Sequence, residues 1–133
     1  MFASMTASGQ WYWVNPYPTG NTIYCTKFVN AATGYSSCAS GTILKTTNGG
    51  VNWSVTMLNN SANLKSLHFT DVNTGVAVGE YGAVYRTTNA GNNWEKIFVN
   101  DSMDFRDIKF YDANTGILLT GYNTGGYIYG PRI

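Results

Sequence analysis

The sequence predicts an all-β fold of propeller blades, three four-stranded repeats of 41 residues with an N-terminal strand completing the last blade, and three observations carry that expectation. Phe28, Phe69 and Phe110 stand 41 residues apart, and so do Gly34, Gly75 and Gly116, which marks three units of one length. A period of about 40 with several strand-like runs per unit is that of a propeller blade, in which about four short strands make one sheet. Aromatic residues make up 15% of the chain against 11% charged, with 15 Gly, a balance suited to short strands and tight turns rather than long helices.

In the middle unit the elements follow in order. "LKSLHF" (64–69) is the first strand, "TDVN" a turn and "GVAVGE" (75–80) the second strand. A Tyr81-Gly82 link leads to "AVYRTT" (83–88), the turn "NAGN" and a fourth strand, "NWEKIFV" (93–99). Asn and Gly at the turns provide the positive φ that tight hairpins require, and Val, Leu, Phe and Tyr alternate along the strands. The phrase "TTNGGVNW" recurs as "TTNAGNNW" and reads as the hairpin between third and fourth strands. Asn48 and Asn89 bond its backbone and Trp53 and Trp94 pack beneath it. Asp71 and Asp112 recur in the first turn of their units and read as turn caps.

The units run over about 23–63, 64–104 and 105–133, a single three-blade domain. The third ends after "GYIYGPRI", its third strand, and "GQWYWVN" near the start reads as a fourth strand with no blade before it. That tally predicts ring closure by the N-terminal strand. Three blades are fewer than the four to eight of closed propellers, so the chain is expected either to be a fragment or to assemble head to tail, with a six-blade dimer favoured.

Thr46, Asn48, Gly50 and Trp53, and again Thr87, Asn89, Gly91 and Trp94, resemble the Asp-box or BNR repeat S/T-x-D-x-G-x-x-W, with Asn at the Asp position. The longer frame, with "DVNTG" and "DANTG" before a K/R-T-T strand, is similar to BNR propellers related to the photosystem II assembly and stability factor. The resemblance covers roughly residues 23 to 129. It implies a propeller, and it spans binding proteins and sialidases alike.

Eight Lys and Arg against seven Asp and Glu give a net charge of +1, which disfavours nucleic acid and anionic membranes as partners. No apolar run of about 18 residues is present, and "MFASMTASGQ" lacks the basic start and apolar stretch of a secretory signal. The chain reads as soluble, with an exported or periplasmic origin left open. Cys25 and Cys38 fit no zinc or redox spacing, so neither metal nor cofactor is expected. If Phe28 faces Tyr35, the two cysteines are directly opposed and a disulfide forms; the alternative is two small buried thiols.

The single histidine, His68, has Lys27 and Lys109 as repeat equivalents, which marks an exposed strand position. Arg86, Arg106 and Arg132 invite a sialidase-like triad, but Arg86 matches Lys45 and Arg106 matches Lys65, so both read as generic blade positions. No catalytic residue is assigned. Function is sought in polar residues that do not repeat, on the loops of one face. Those candidates are Tyr17, Asn59, Asn60, Glu80, Tyr81, Asp101, Asp104 and Tyr122, aromatic platforms with amides and carboxylates suited to a protein or glycan ligand. The expected function is a non-catalytic binding or assembly module that self-associates. The competing class is a glycosidase- or sialidase-like propeller enzyme or a piece of one, which needs paired carboxylates.

Overall fold

Two residues in left-handed backbone conformation, Ser40 (φ 54°) and Gly41 (φ 62°), join the second and third strands of the first unit, and Tyr81 (φ 54°) and Gly82 (φ 64°) do the same 41 residues on. Positive φ at both central positions is the type I′ geometry, whose twist matches that of antiparallel strands. The computed structural model describes residues 2–5, 11–14, 18–59, 61–97, 103–121 and 128–129, the first two stretches and the last as backbone only. All its regular elements are β-strands, and among the described residues no helix is long and apolar enough to cross a membrane.

The first blade is the antiparallel sheet β3 (Ile23–Phe28), β4 (Gly34–Cys38), β5 (Thr42–Thr46) and β6 (Ser54–Met57). β7 (Leu64–Phe69), β8 (Gly75–Gly79), β9 (Val84–Thr87) and β10 (Glu95–Lys96) form the second. β11 (Phe105–Phe110), β12 (Gly116–Thr120) and β13 (Ile128–Tyr129) pair in order as the third. The first three strands of the middle unit fall where the sequence predicts them, and the fourth is shorter, Glu95–Lys96 within the expected 93–99.

At the N-terminus the outcome differs from expectation. β2 (Trp11–Val14) pairs with β1 (Phe2–Met5), Phe2 facing Val14 and Met5 facing Trp11, and the pair stands as its own two-stranded sheet instead of joining β13. "FASM" carries no turn signal or clear alternation, so the sequence reading counted one strand there where two satisfy each other's backbone groups.

The repeated phrase forms the turn expected of it. Thr46 Oγ1 accepts from Gly50 N at 2.9 Å, Asn48 Oδ1 accepts from Asn52 N at 2.8 Å, and Trp53 Nε1 donates to the Gly50 carbonyl at 3.0 Å. Thr87 and Asn89 repeat the first two bonds, accepting from Gly91 N and from Asn93 N, each at 2.9 Å, while the buried Trp94 indole N–H has no partner among the described residues. An amide oxygen serves as well as a carboxylate here, since only acceptance is required. Gly50 (φ 91°) and Gly91 (φ 74°) occupy the left-handed region that the turn demands. Asp71 and Asp112 each accept two backbone N–H groups of their turns, which holds both carboxyls below their ordinary value.

Between blades one and two lie Tyr35, Ile43, Leu64, Leu67, Ala77 and Tyr85; between two and three lie Val76, Val78, Val84, Phe105, Ile108 and Leu118. Five of the six are the same repeat positions, Tyr85 and Val78 excepted, with volumes exchanged. The first joint sets large Tyr35 over small Ala77, and the second sets smaller Val76 against larger Leu118. Interiors pack to crystal-like density, so a gain on one side is matched by a loss on the other. Tyr35 is fully buried, stacks on Phe69 at 4.1 Å between ring centroids and donates its hydroxyl to the Ala90 carbonyl at 2.8 Å.

The expected opposition of Cys25 and Cys38 is corrected by the register. Phe28 faces Gly34 and Cys25 faces Ser37, one residue off the expected register, and the bulge beyond Cys25 sets Cys38 against Ile23. Both cysteines are free, and burial pushes the Cys38 thiol up to about 11, so it stays protonated at neutral pH.

Candidate functional site

Each blade opens with the same irregularity. The register shifts between Ile23 and Cys25 in β3, between Leu64 and Ser66 in β7, and between Phe105 and Asp107 in β11. The residues left outside the pairing are Tyr24, Lys65 and Arg106, 41 apart. A bulge bends its strand and re-aims a side chain, and bulges concentrate next to functional sites. Here the three bulged residues line one cleft of about 310 Å³, closed by Phe105 and by the carboxylates Glu80 and Asp104.

Lys65 is neutralised within the cleft. Its ammonium meets Glu80 Oε1 at 2.9 Å and lies 3.9 Å from the centre of the Tyr24 ring. Burial lowers the Lys65 ammonium, but Glu80 and Tyr24 outweigh that and raise it overall. Asn63 Nδ2 donates to Glu80 Oε2 at 2.8 Å, so both oxygens of Glu80 are occupied. Arg106 occupies the matching place one blade on, where Gly121 replaces Glu80; a Cβ at Gly121 would fall on the Arg106 side chain. No carboxylate among the described residues pairs with Arg106. The arrangement offers a planar guanidinium to an anionic or carbonyl-bearing group, beside an exposed aromatic ring.

Of the sequence-predicted residues, Glu80, Tyr81 and Asp104 come together. Tyr81 is 65% exposed at the rim, and its backbone N–H donates to Asp104 Oδ1 at 3.0 Å. Asn59 is exposed beyond β6, and no contact ties it to the cleft. Tyr17, Asn60, Asp101 and Tyr122 lie outside the described residues. Tyr24, Lys65, Phe105 and Arg106 escaped the sequence reading, which set Arg106 and Lys65 aside as generic. The signal was present: one repeat position carries a different polar side chain in each blade.

The family model of the Photosynthesis system II assembly factor YCF48 matches residues 3–105. No curated protein matches the chain. A solved structure of YCF48 bound to D1 peptide is similar at 27% identity with a TM-score of 0.75, covering 86% of this chain and 37% of that one. YCF48 from Cyanidioschyzon merolae is similar at 18% identity and a TM-score of 0.68, over 89% of this chain and 40% of that one. An ancestral GH74 enzyme shares the fold at 19% identity and a TM-score of 0.64, over 89% of this chain and 18% of that one. The chain therefore spans about two fifths or less of the length of these structures. With the family model covering most of its length and a propeller architecture that agrees, the chain belongs to the family of the Photosynthesis system II assembly factor YCF48.

Proposed function

We propose that this chain is a non-catalytic binding module of an assembly factor, taking a peptide segment of a partner protein in the cleft of Tyr24, Lys65 and Arg106. Glu80, Tyr81 and Asp104 form its rim. The observation that carries the reading is the Arg106 guanidinium, left without a carboxylate among the described residues where Lys65 has Glu80. The likeness to a YCF48 structure holding a D1 peptide supports a protein ligand over a glycan. Glu80 and Asp104 are engaged by Lys65, Asn63 and the Tyr81 backbone, a structural use that favours binding over glycoside hydrolysis. A D1 peptide is the probe. Arg106→Met is expected to weaken its binding by calorimetry about 10- to 100-fold, the equivalent of a charge-assisted hydrogen bond of about 1.5–3 kcal/mol. Unchanged affinity, or no binding of the peptide to the wild-type chain, would sink the reading.

A second reading, self-association, is favoured by Ile117 and Leu119, which are 41% and 40% exposed while their repeat equivalents Val76 and Val78 are buried. Phe28 is 49% exposed, and its equivalent Phe69 receives Tyr35, the equivalent of Ile117. Ile117 of one copy therefore fits against Phe28 of the next. Light scattering at micromolar concentration is expected to show a dimer that Ile117→Asp converts to monomer. A wild-type monomer would overturn the proposal.

A further inference from the structure

At the other end of the inner strands a second groove, of about 400 Å³, is lined by Lys27 and Phe28 from the first blade, His68 and Val72 from the second, and Lys109 from the third. Lys27, His68 and Lys109 are repeat equivalents, three residues along their strands from Tyr24, Lys65 and Arg106, which puts the groove roughly 10 Å from the cleft at the strand rise of about 3.3 Å. We infer that this groove binds a carboxylate-bearing peptide segment between Lys27 and Lys109, and that His68 takes up a proton as it binds.

The charges around His68 explain why an anion is wanted there. From β3 it faces Lys27, which has no carboxylate partner among the described residues. From β11 it faces Lys109 and Asp107, and its ring lies 5.5 Å from that of Phe110. From β9, Arg86 shares a crevice with it. Two carboxylates stand nearby, each already accepting hydrogen bonds. Asp71 Oδ1 caps its own turn through Asn73 N and Thr74 N. Asp107 Oδ1 accepts the Ser66 hydroxyl at 2.5 Å, and its other oxygen stands 3.8 Å from Lys109. Lys27, Lys109 and Arg86 thus outnumber the carboxylates of Asp71 and Asp107 around His68 by one charge, and Lys27 has no carboxylate partner among the described residues. Burial, then Lys109 and Lys27, hold the half-buried His68 below its ordinary 6.5, with Asp107 opposing them. The imidazole is accordingly neutral at pH 7, and a bound carboxylate reverses the field that keeps it so. Val72, 50% exposed, offers apolar contact to the residue beside that carboxylate.

The inference rests on the reading that the inner wall takes a protein segment, and adds the charge of the segment and its proton dependence. His68 is the single histidine of the chain, so its Hε1 resonance reports the site without assignment ambiguity. The probe is an N-acetylated tetraglutamate peptide, whose carboxylates stay ionised down to about pH 5.5 and which has no amino group to titrate in that range. Its affinity is expected to rise about tenfold from pH 8 to pH 5.5, the amount that corresponds to a one-unit rise in the histidine pKa on binding. The Hε1 titration should move to higher pH at saturation. His68→Gln should bind tetraglutamate with no pH dependence over that range, and Lys27→Met with Lys109→Met should lose most of the binding at every pH. No saturable binding, a pH-independent affinity, or an unmoved Hε1 titration overturns the inference. The D1 peptide separates the two readings: dependence on Arg106 without any response of tetraglutamate to Lys27 and Lys109 leaves the cleft standing and ends the case for the groove.

Discussion

Tyr35→Ala is expected to lower the unfolding free energy by about 3–5 kcal/mol, the range for truncating a buried large aromatic side chain. The ring is fully buried, stacks on Phe69 and lies under the turn of the next blade, where its hydroxyl holds the Ala90 carbonyl. Removing it opens a cavity at the joint of two blades, and strands on both sides resist collapse because their hydrogen-bonded ladders fix the spacing. The loss is read as a fall of about 10–20 °C in melting temperature by circular dichroism. Tyr35→Phe separates the contributions: it keeps the stack and drops one hydrogen bond, costing about 1 kcal/mol. A fall of under about 3 °C for the alanine variant would show that the joint is not held as described.

Gly79→Ala is the second large effect, a destabilisation of about 2–3 kcal/mol from overpacking. A Cβ at position 79 would overlap the carbonyl of Asn63 and crowd the Leu64 backbone. That carbonyl cannot swing aside freely, because it accepts the Glu80 backbone N–H at 3.1 Å. Cys38 and Thr120 stand at the equivalent places, so the constraint belongs to the middle blade alone. Displacing Asn63 also disturbs the side chain that bonds Glu80. The variant is therefore expected to weaken D1 peptide binding as well as lower the melting temperature. A thermal melt matching wild type would contradict the close approach.

Much of the architecture was legible because repetition is visible without any structure. Phe28, Phe69 and Phe110 set the unit, Asn48 and Asn89 marked one turn, and the strands followed between them. What could not be read was anything that depends on a one-residue irregularity. A bulge leaves no composition signal, and neither does turn length: Phe28 faces Gly34 rather than Tyr35, so Cys25 was set opposite Cys38 when it faces Ser37. The same bulge hid the site, since Tyr24, Lys65 and Arg106 look like ordinary strand residues until they leave the ladder. Glu80 and Tyr81 were found because they break the repeat in a loop. Arg106 breaks it too, by facing a glycine where Lys65 faces an acid, but that contrast needs the pairing between positions 65 and 80.

The exchanged volumes at the two joints have a consequence for anyone rebuilding this chain. Because Tyr35 is matched to Ala77 and Val76 to Leu118, each blade carries half of a lock whose key sits on its successor. Duplicating the middle unit would set Val76 against Ala77 and leave an unfilled gap, whereas placing the third unit directly after the first would set Tyr35 against Leu118 and overfill the joint; duplicating the first would set Tyr35 against Ser36. A serial number is thus written into side-chain size, and a tandem array made from one unit would need positions 35 and 36 redesigned together before it could stack.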